Sequence, residues 1–188
     1  MLTYYARRIS YNLIINLESC GVYFLEMVKA SDEESVIDQY TPYIAASEGD
    51  LSLLKRALDT LCLPISLKDD NGLTLVHSAA SYNQLNVLEW LLCEEDHAQQ
   101  IDVNAGDTDG DTPLHHCDTA DAARYLVEVG KADYTIKNDS GLTALEVKEQ
   151  ELQEYLEEIE WDDDDEMDDD DSQLGSLREL VNYLRSLQ

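Results

Sequence analysis

The residues that could do chemistry are concentrated between positions 107 and 117. Asp107, Asp109 and Asp111 alternate with Thr108 and Gly110, and His115, His116 and Cys117 follow a few residues on. Carboxylates, imidazoles and thiols serve as metal ligands, general acids and nucleophiles. The spacing argues against each use. Zinc needs four convergent ligands, and consecutive residues on a helix point in different directions. A calcium loop starting at Asp107 would put Thr112 where its glycine belongs and Asp118 where its glutamate belongs. No nucleophile elbow, phosphate-binding glycine loop or zinc-protease motif occurs in the chain. The reading is of no catalytic residue, no metal and no cofactor, and enzymatic activity is not expected.

The same stretch has a conformational reading that explains each residue. Asp109-Gly110 supplies the positive φ of a tight turn. Thr112 can cap a helix, Pro113 fits its first position, and Leu114 begins an apolar face. The prediction is a hairpin tip followed by a helix.

The chain has 188 residues and a net charge of −29, enough for one domain and a tail. Residues 157–171 hold twelve carboxylates and no basic residue, and residues 27–156 still carry −18. Phosphate contacts would meet like charge, so nucleic-acid binding is not expected. Cys20, Cys62, Cys93 and Cys117 show no C-x-x-C pair. They read as reduced thiols of an intracellular protein, cytoplasmic or nuclear, with Cys93 and Cys117 buried. The sequon at Asn138 is then not a glycan site. No stretch approaches the roughly 18 apolar residues of a membrane span. Residues 1–26 contain no clean apolar core, and Met27 resembles an ordinary start. Residues 1–39 are expected to be an extension, partly disordered or preceding the native start.

From Tyr40 the chain becomes periodic. Helical patterns come in pairs, at 43–48 and 51–61, 75–82 and 85–95, 114–119 and 122–129. Polar turns separate them at 68–72, 107–110 and 138–141. Thr74-Leu-Val-His-Ser-Ala-Ala80, Thr112-Pro-Leu-His-His-Cys117 and Thr143-Ala-Leu-Glu-Val147 are versions of one phrase, spaced 38 and 31 residues apart. An eroded copy at Tyr40-Thr-Pro-Tyr-Ile-Ala-Ala46 lies one position out of register.

A period near 33 with a turn, a T-P-L-H-x-A phrase and two helices resembles the ankyrin repeat. The resemblance covers about Tyr40 to Leu156. It implies a mainly α solenoid of about four helix-turn-helix units joined by short β-hairpin turns, each unit burying its apolar face against its neighbours. The departures locate loops. The excess before Thr112 falls at 94–100 and reads as an acidic loop. Three residues are missing around Thr119-Ala-Asp121, so the third inner helix must be clipped, and Lys131 is inserted. Gly49 and Asn83 stand where helix ends take a left-handed residue.

The end of the repeat region has two readings. Leu152, Tyr155, Leu156 and Ile159 could form a short outer helix. Alternatively, 157–175 is an acidic disordered segment, and 176–188 is an amphipathic helix that returns to pack on the fourth repeat or on a partner. Ser176 and Glu179 would form its capping box, and Leu177, Leu180, Val181, Leu184 and Leu187 its apolar stripe. We favour the second, which sets the repeat domain at 40–156.

The resemblance also implies where function lies. His77 and His115 would bond backbone and threonine to tie adjacent repeats. Partners of this family bind hairpin tips and exposed inner-helix positions. Here those are Asp70, Asn71, Leu73, Ser81 and Tyr82 in the second repeat. In the third they are Thr108, Asp109, Asp111, His116 and Thr119, and in the fourth Asp139, Ser140 and Leu142. The acidic run, with Trp161, Asp162, Asp163, Asp164, Asp165, Glu166, Asp168, Asp169, Asp170 and Asp171, is either a self-repelling solubilising spacer or a polyanion that captures a basic partner. The plan is similar to small fungal ankyrin proteins with an acidic C-terminal tail that escort a basic ribosomal protein. The expected function is a monomeric, non-enzymatic adaptor or dedicated chaperone for a basic protein such as a ribosomal protein or histone. The alternative is a general adaptor with an incidental tail.

Overall fold

The computed structural model describes residues 37–94, 97, 99–161 and 171–188. The expectations for residues 1–36, Cys20 included, lie outside the described residues. So do those for Asp162, Asp163, Asp164, Asp165, Glu166, Asp168, Asp169 and Asp170.

Helices come in antiparallel pairs, each ended by a local signal. α1 (Thr41–Glu48) carries Pro42 in its first turn, and Gly49 closes it at φ +77° with its N–H on the Ala45 carbonyl. A Cβ there would stand 2.3 Å from Gln84 Oε1, the movable end of a side chain, so it is the φ that requires glycine. Asp50 caps α2 (Leu51–Leu61) by accepting from the Leu53 N–H at 2.9 Å. α3 (Leu75–Ser81) opens with a capping box between Thr74 and His77, and Asn83 turns the chain at φ +53° into α4 (Leu85–Cys93). Alanines 45, 46, 79 and 80 are fully buried and let the inner helices approach closely. Leu54, Leu88, Leu91 and Leu126 fill the layer behind them, each worth about 1.5–3 kcal/mol of burial.

The turns between pairs are regular. Asp69, Asp107 and Asn138 each donate their N–H to the carbonyl four residues on, at 3.0, 3.0 and 2.9 Å. No strand forms among the described residues. The hairpins reduce to single bridges, Lys68 with Thr74 and Lys137 with Thr143. Neighbouring tips are joined by backbone bonds, Thr108 N–H to Asn71 O at 2.9 Å and Asp139 N–H to Asp109 O at 3.0 Å.

The third repeat is shorter than its sequence suggests. After Pro113 the inner element makes one turn, 113–116, instead of a helix to Thr119. The deletion leaves too few residues for a second turn before the outer helix must begin. That helix, α5 (Ala120–Arg124), starts two residues earlier than the apolar pattern indicates. Thr119 caps it by accepting from the Ala122 N–H, and it runs on as a π-helical turn at Tyr125–Val129. Lys131 absorbs the following insertion at φ +60°.

Two boundaries move at the C-terminal end. The fourth inner helix does not stop near the repeat's edge, because no glycine or turn residue interrupts a stretch rich in Leu, Glu and Gln. α6 runs from Ala144 to Trp161. α7 spans Asp171–Arg185, so residues 157–161 and 171–175 are helical and not a disordered segment. Ser176 therefore lies inside α7, where its hydroxyl bonds the Ser172 carbonyl, and it is not a cap. α7 takes the place of the fourth outer helix. Leu174, Leu180, Val181 and Leu184 are buried, and α7 packs along α5 and α6. Arg124 holds its flank from α5 through an ion pair to Glu179 at 3.5 Å and the face of the Tyr183 ring at 5.2 Å.

Candidate functional site

The hairpin tips and the inner-helix ends are built by one recurring device. In the second repeat the His77 ring accepts the Thr74 N–H at Nδ1 (3.0 Å) and donates Nε2–H to the Asp111 carbonyl of the next hairpin (3.0 Å). A carbonyl only accepts, so the tautomer is fixed with the proton on Nε2. His115 repeats the pattern with Thr112 at 3.2 Å and the Leu142 carbonyl at 3.2 Å. Burial holds the His77 pKa down to about 4 and lowers that of His115, so both rings are neutral at pH 7. The end repeats replace the histidine. Glu146 has no further hairpin to reach and accepts the Thr143 N–H at 2.8 Å. Tyr43 occupies the place in the first repeat. Its hydroxyl is buried without a hydrogen-bond partner, and burial with the charges of Asp69 and Asp70 pushes its pKa to about 12.

These ties sort the thirteen candidate contact residues. Asp70, Asn71, Thr108, Asp109, Asp139 and Ser140 are exposed at three adjacent tips. Tyr82, 66% exposed at the end of α3, is the largest apolar side chain offered to solvent there. Leu73 and Leu142 are half-buried. Four candidates are engaged by the fold. Ser81 donates to the His77 carbonyl at 3.1 Å. Thr119 caps α5 and donates to Asn83 Oδ1 at 2.8 Å. Asp111 accepts from Asn138 Nδ2 at 2.8 Å. His116 bonds Asp107 at 2.9 Å. In the acidic run, Trp161 ends α6 and Asp171 begins α7.

Side chains that the sequence reading did not single out complete the face. Glu48 and Asp118 are exposed beside Tyr82 in the series of inner-helix ends. The ends are linked by Gln84 Nε2–H to the Ser47 carbonyl (2.7 Å) and by the Thr119–Asn83 bond. Lys148 stands at the position of Ala79 and Cys117 in the other repeats and is 4% exposed. Its ammonium sits 2.8 Å from Glu151 and 3.6 Å from Asp118, beside the gap left by the missing inner-helix turn. A lysine in alanine register was the available signal. Cys117 is buried, as expected. Cys93 is exposed instead, because α4 ends there, and its sulfur lies 3.2 Å from the Tyr125 hydroxyl.

Asp107 is the most occupied carboxylate of the face. Its side chain is 8% exposed, with Oδ1 accepting the N–H groups of Asp109 and Asp111 at 2.9 Å each and Oδ2 meeting His116. Burial raises its pKa, but the His116 hydrogen bond and the two backbone N–H groups outweigh this and hold it below the usual range. The fold brings its donor atoms and those of Asp111 and His116 within 4.8 Å of one another.

Known proteins are similar to this chain in sequence. The profile for ankyrin repeats (three copies) matches residues 42–138. An ankyrin repeat-containing protein of Schizosaccharomyces pombe is 37% identical over 119 residues, which cover 61% of this chain and 55% of that protein. The chain thus spans about half the length of that relative. Protein phosphatase 1 regulatory subunit 12A of Mus musculus and of Rattus norvegicus is 36% identical over 93 residues, 48% of this chain and 8% of theirs. The profile covers half of the chain, and the recurring hairpins and histidine ties lie in and around the matched region. The chain therefore belongs to the ankyrin-repeat family, a scaffold for protein–protein interaction.

Proposed function

We propose that this chain is a non-catalytic binder of a basic protein client, held between the hairpin-tip face and the acidic run. The observation that carries the reading is the register of exposed carboxylates. Asp70, Asp109 and Asp139 stand on three consecutive tips, and Glu48 and Asp118 flank Tyr82 at the inner-helix ends. The bonded tips hold these charges in a fixed row, which favours a cationic partner over long range. Tyr82 adds a rigid apolar anchor at the middle of the row. The acidic segment between α6 and α7 adds charge to the same molecule.

The test is retention of native-extract proteins on the immobilised chain at low and high salt, compared with a chain in which residues 162–165 are Asn. Retained proteins of high isoelectric point that elute with salt, and are lost from the neutralised chain, are the expected result. Retention indifferent to both changes overturns the reading.

A second reading rests on the similarity to the phosphatase regulatory subunit within the repeats. It is a general adaptor that docks a partner through Tyr82, Leu73 and Leu142, with the acidic run incidental. In that case Tyr82→Ala abolishes retention and neutralising the run does not.

A further inference from the structure

Asp107, Asp111 and His116 converge on one point, although the scaffold requires only the first. The sister repeats show this directly. The position of Asp107 is Asp69 in the second repeat and Asn138 in the fourth, and all three make the same turn bonds. The position of Asp111 is Leu73 and Leu142, and the tie to the preceding histidine uses only the backbone carbonyl. The position of His116 is Ser78 and Val147. A second carboxylate and an imidazole have thus been placed where serine, valine and leucine meet every need of the fold.

We propose that these three side chains form a binding site for a divalent transition-metal ion of the zinc class. The separation of His116 Nε2 and Asp107 Oδ2 is 2.9 Å. Two ligands of a tetrahedral ion, each about 2.1 Å from it, stand roughly 3.4 Å apart, so this pair gives up its hydrogen bond and parts by about half an ångström on binding. All donor atoms lie within 4.8 Å. A side-chain rotation of Asp111 brings its carboxylate to the same spacing.

The surrounding bonds aim the donors. Two backbone N–H groups fix Asp107 through Oδ1, leaving Oδ2 toward the site. Asn138 Nδ2 bonds Asp111 Oδ1 at 2.8 Å. The His77 ring packs edge-on against His116, with centroids 5.3 Å apart, while its own nitrogens are used by Thr74 and Asp111. Outer bonds of this kind orient metal ligands. Two carboxylates and an imidazole suit zinc better than calcium, which takes oxygen alone. On binding, the Nε2 lone pair is given to the ion, and the neutral ring carries its proton on Nδ1.

The experiment is calorimetric titration of the untagged full chain with zinc chloride, in millimolar calcium to occupy sites made of carboxylates alone. Cobalt is used in parallel as a spectroscopic probe. A saturable one-to-one site with cobalt d–d absorption is expected. Asp107→Asn, Asp111→Leu and His116→Ser each install the residue of a sister repeat, so the fold is kept. Each should weaken binding at least tenfold. Absence of saturable uptake overturns the proposal. So does uptake that all three variants retain and that disappears only when residues 162–165 are neutralised.

Discussion

The second and third repeats begin with the same phrase and then part. Both open with threonine and a histidine tie, and both hairpins carry the same backbone bonds. The second continues into a complete α3, while the third stops after one turn. The front half of the unit, turn and tie, therefore sets the register between repeats. The back half of an inner helix can be dispensed with if another group fills its place. Lys148 of the next repeat is buried beside this segment, with its charge held by Asp118 and Glu151.

The comparison can be broken most directly at that lysine. Lys148→Ala should cost about 3 kcal/mol, since it removes buried stem and leaves a cavity. Lys148→Met should be near neutral, because a buried ion pair contributes little over an apolar side chain of similar volume. Urea denaturation of both variants measures this. Equal losses would mean that the charge, and not the filling, supports the third repeat.

The shared half can be tested by pH. The folded pKa of His77 is lowered to about 4 by burial, and that of His115 is lowered in the same sense. The unfolded value is about 6.5, so as pH falls the unfolded chain takes up the proton first. Stability is complete above about pH 6.5 and is lost down to about pH 4, by on the order of 2–3 kcal/mol for His77. Denaturation midpoints at pH 7, 5.5 and 4.5 should fall accordingly, and His77→Gln should flatten the dependence.

Two glycines sharpen the comparison at the tips. Gly110 and Gly141 have φ of +76° and +77°, but a Cβ at Gly110 would stand 2.9 Å from the Asp139 nitrogen, whereas Gly141 has open space. Gly141→Ala should cost about 1 kcal/mol for the left-handed backbone alone. Gly110→Ala should cost about 2 kcal/mol, the excess reporting the bonded contact between tips. Thermal melts of the pair decide it. The smallest effect on stability is expected at Tyr82→Ala, within about 0.5 kcal/mol because the side chain is exposed, although client retention should drop.

Much of this was legible in the sequence because repeats carry their own comparison. The phrase at Thr74, Thr112 and Thr143 exposed the hairpins and the caps, which depend on local residue types, and the resemblance it carries implied the histidine ties between repeats. What was not legible depends on how the chain folds, within a repeat as well as between repeats. Asp107, Asp111 and His116 sit at different steps of the turn and helix, and only the tight tip followed by a single helical turn folds them together. The three missing residues indicated a clipped helix but not what fills the gap. The length of α6 escaped because Glu, Gln and Leu supply no stop signal, and acidic composition alone was a poor guide to where helix ends.

The packing of α7 across α5 and α6 has a consequence for molecularity. The only covalent link from the repeats to α7 runs through residues 162–170. A single cut in that link divides the chain without dividing the core, since burial of Leu180, Val181 and Leu184 and the Arg124–Glu179 ion pair hold α7 without a covalent bond. The nicked protein becomes a two-fragment complex, and its melting temperature, fixed for the intact chain, comes to depend on concentration.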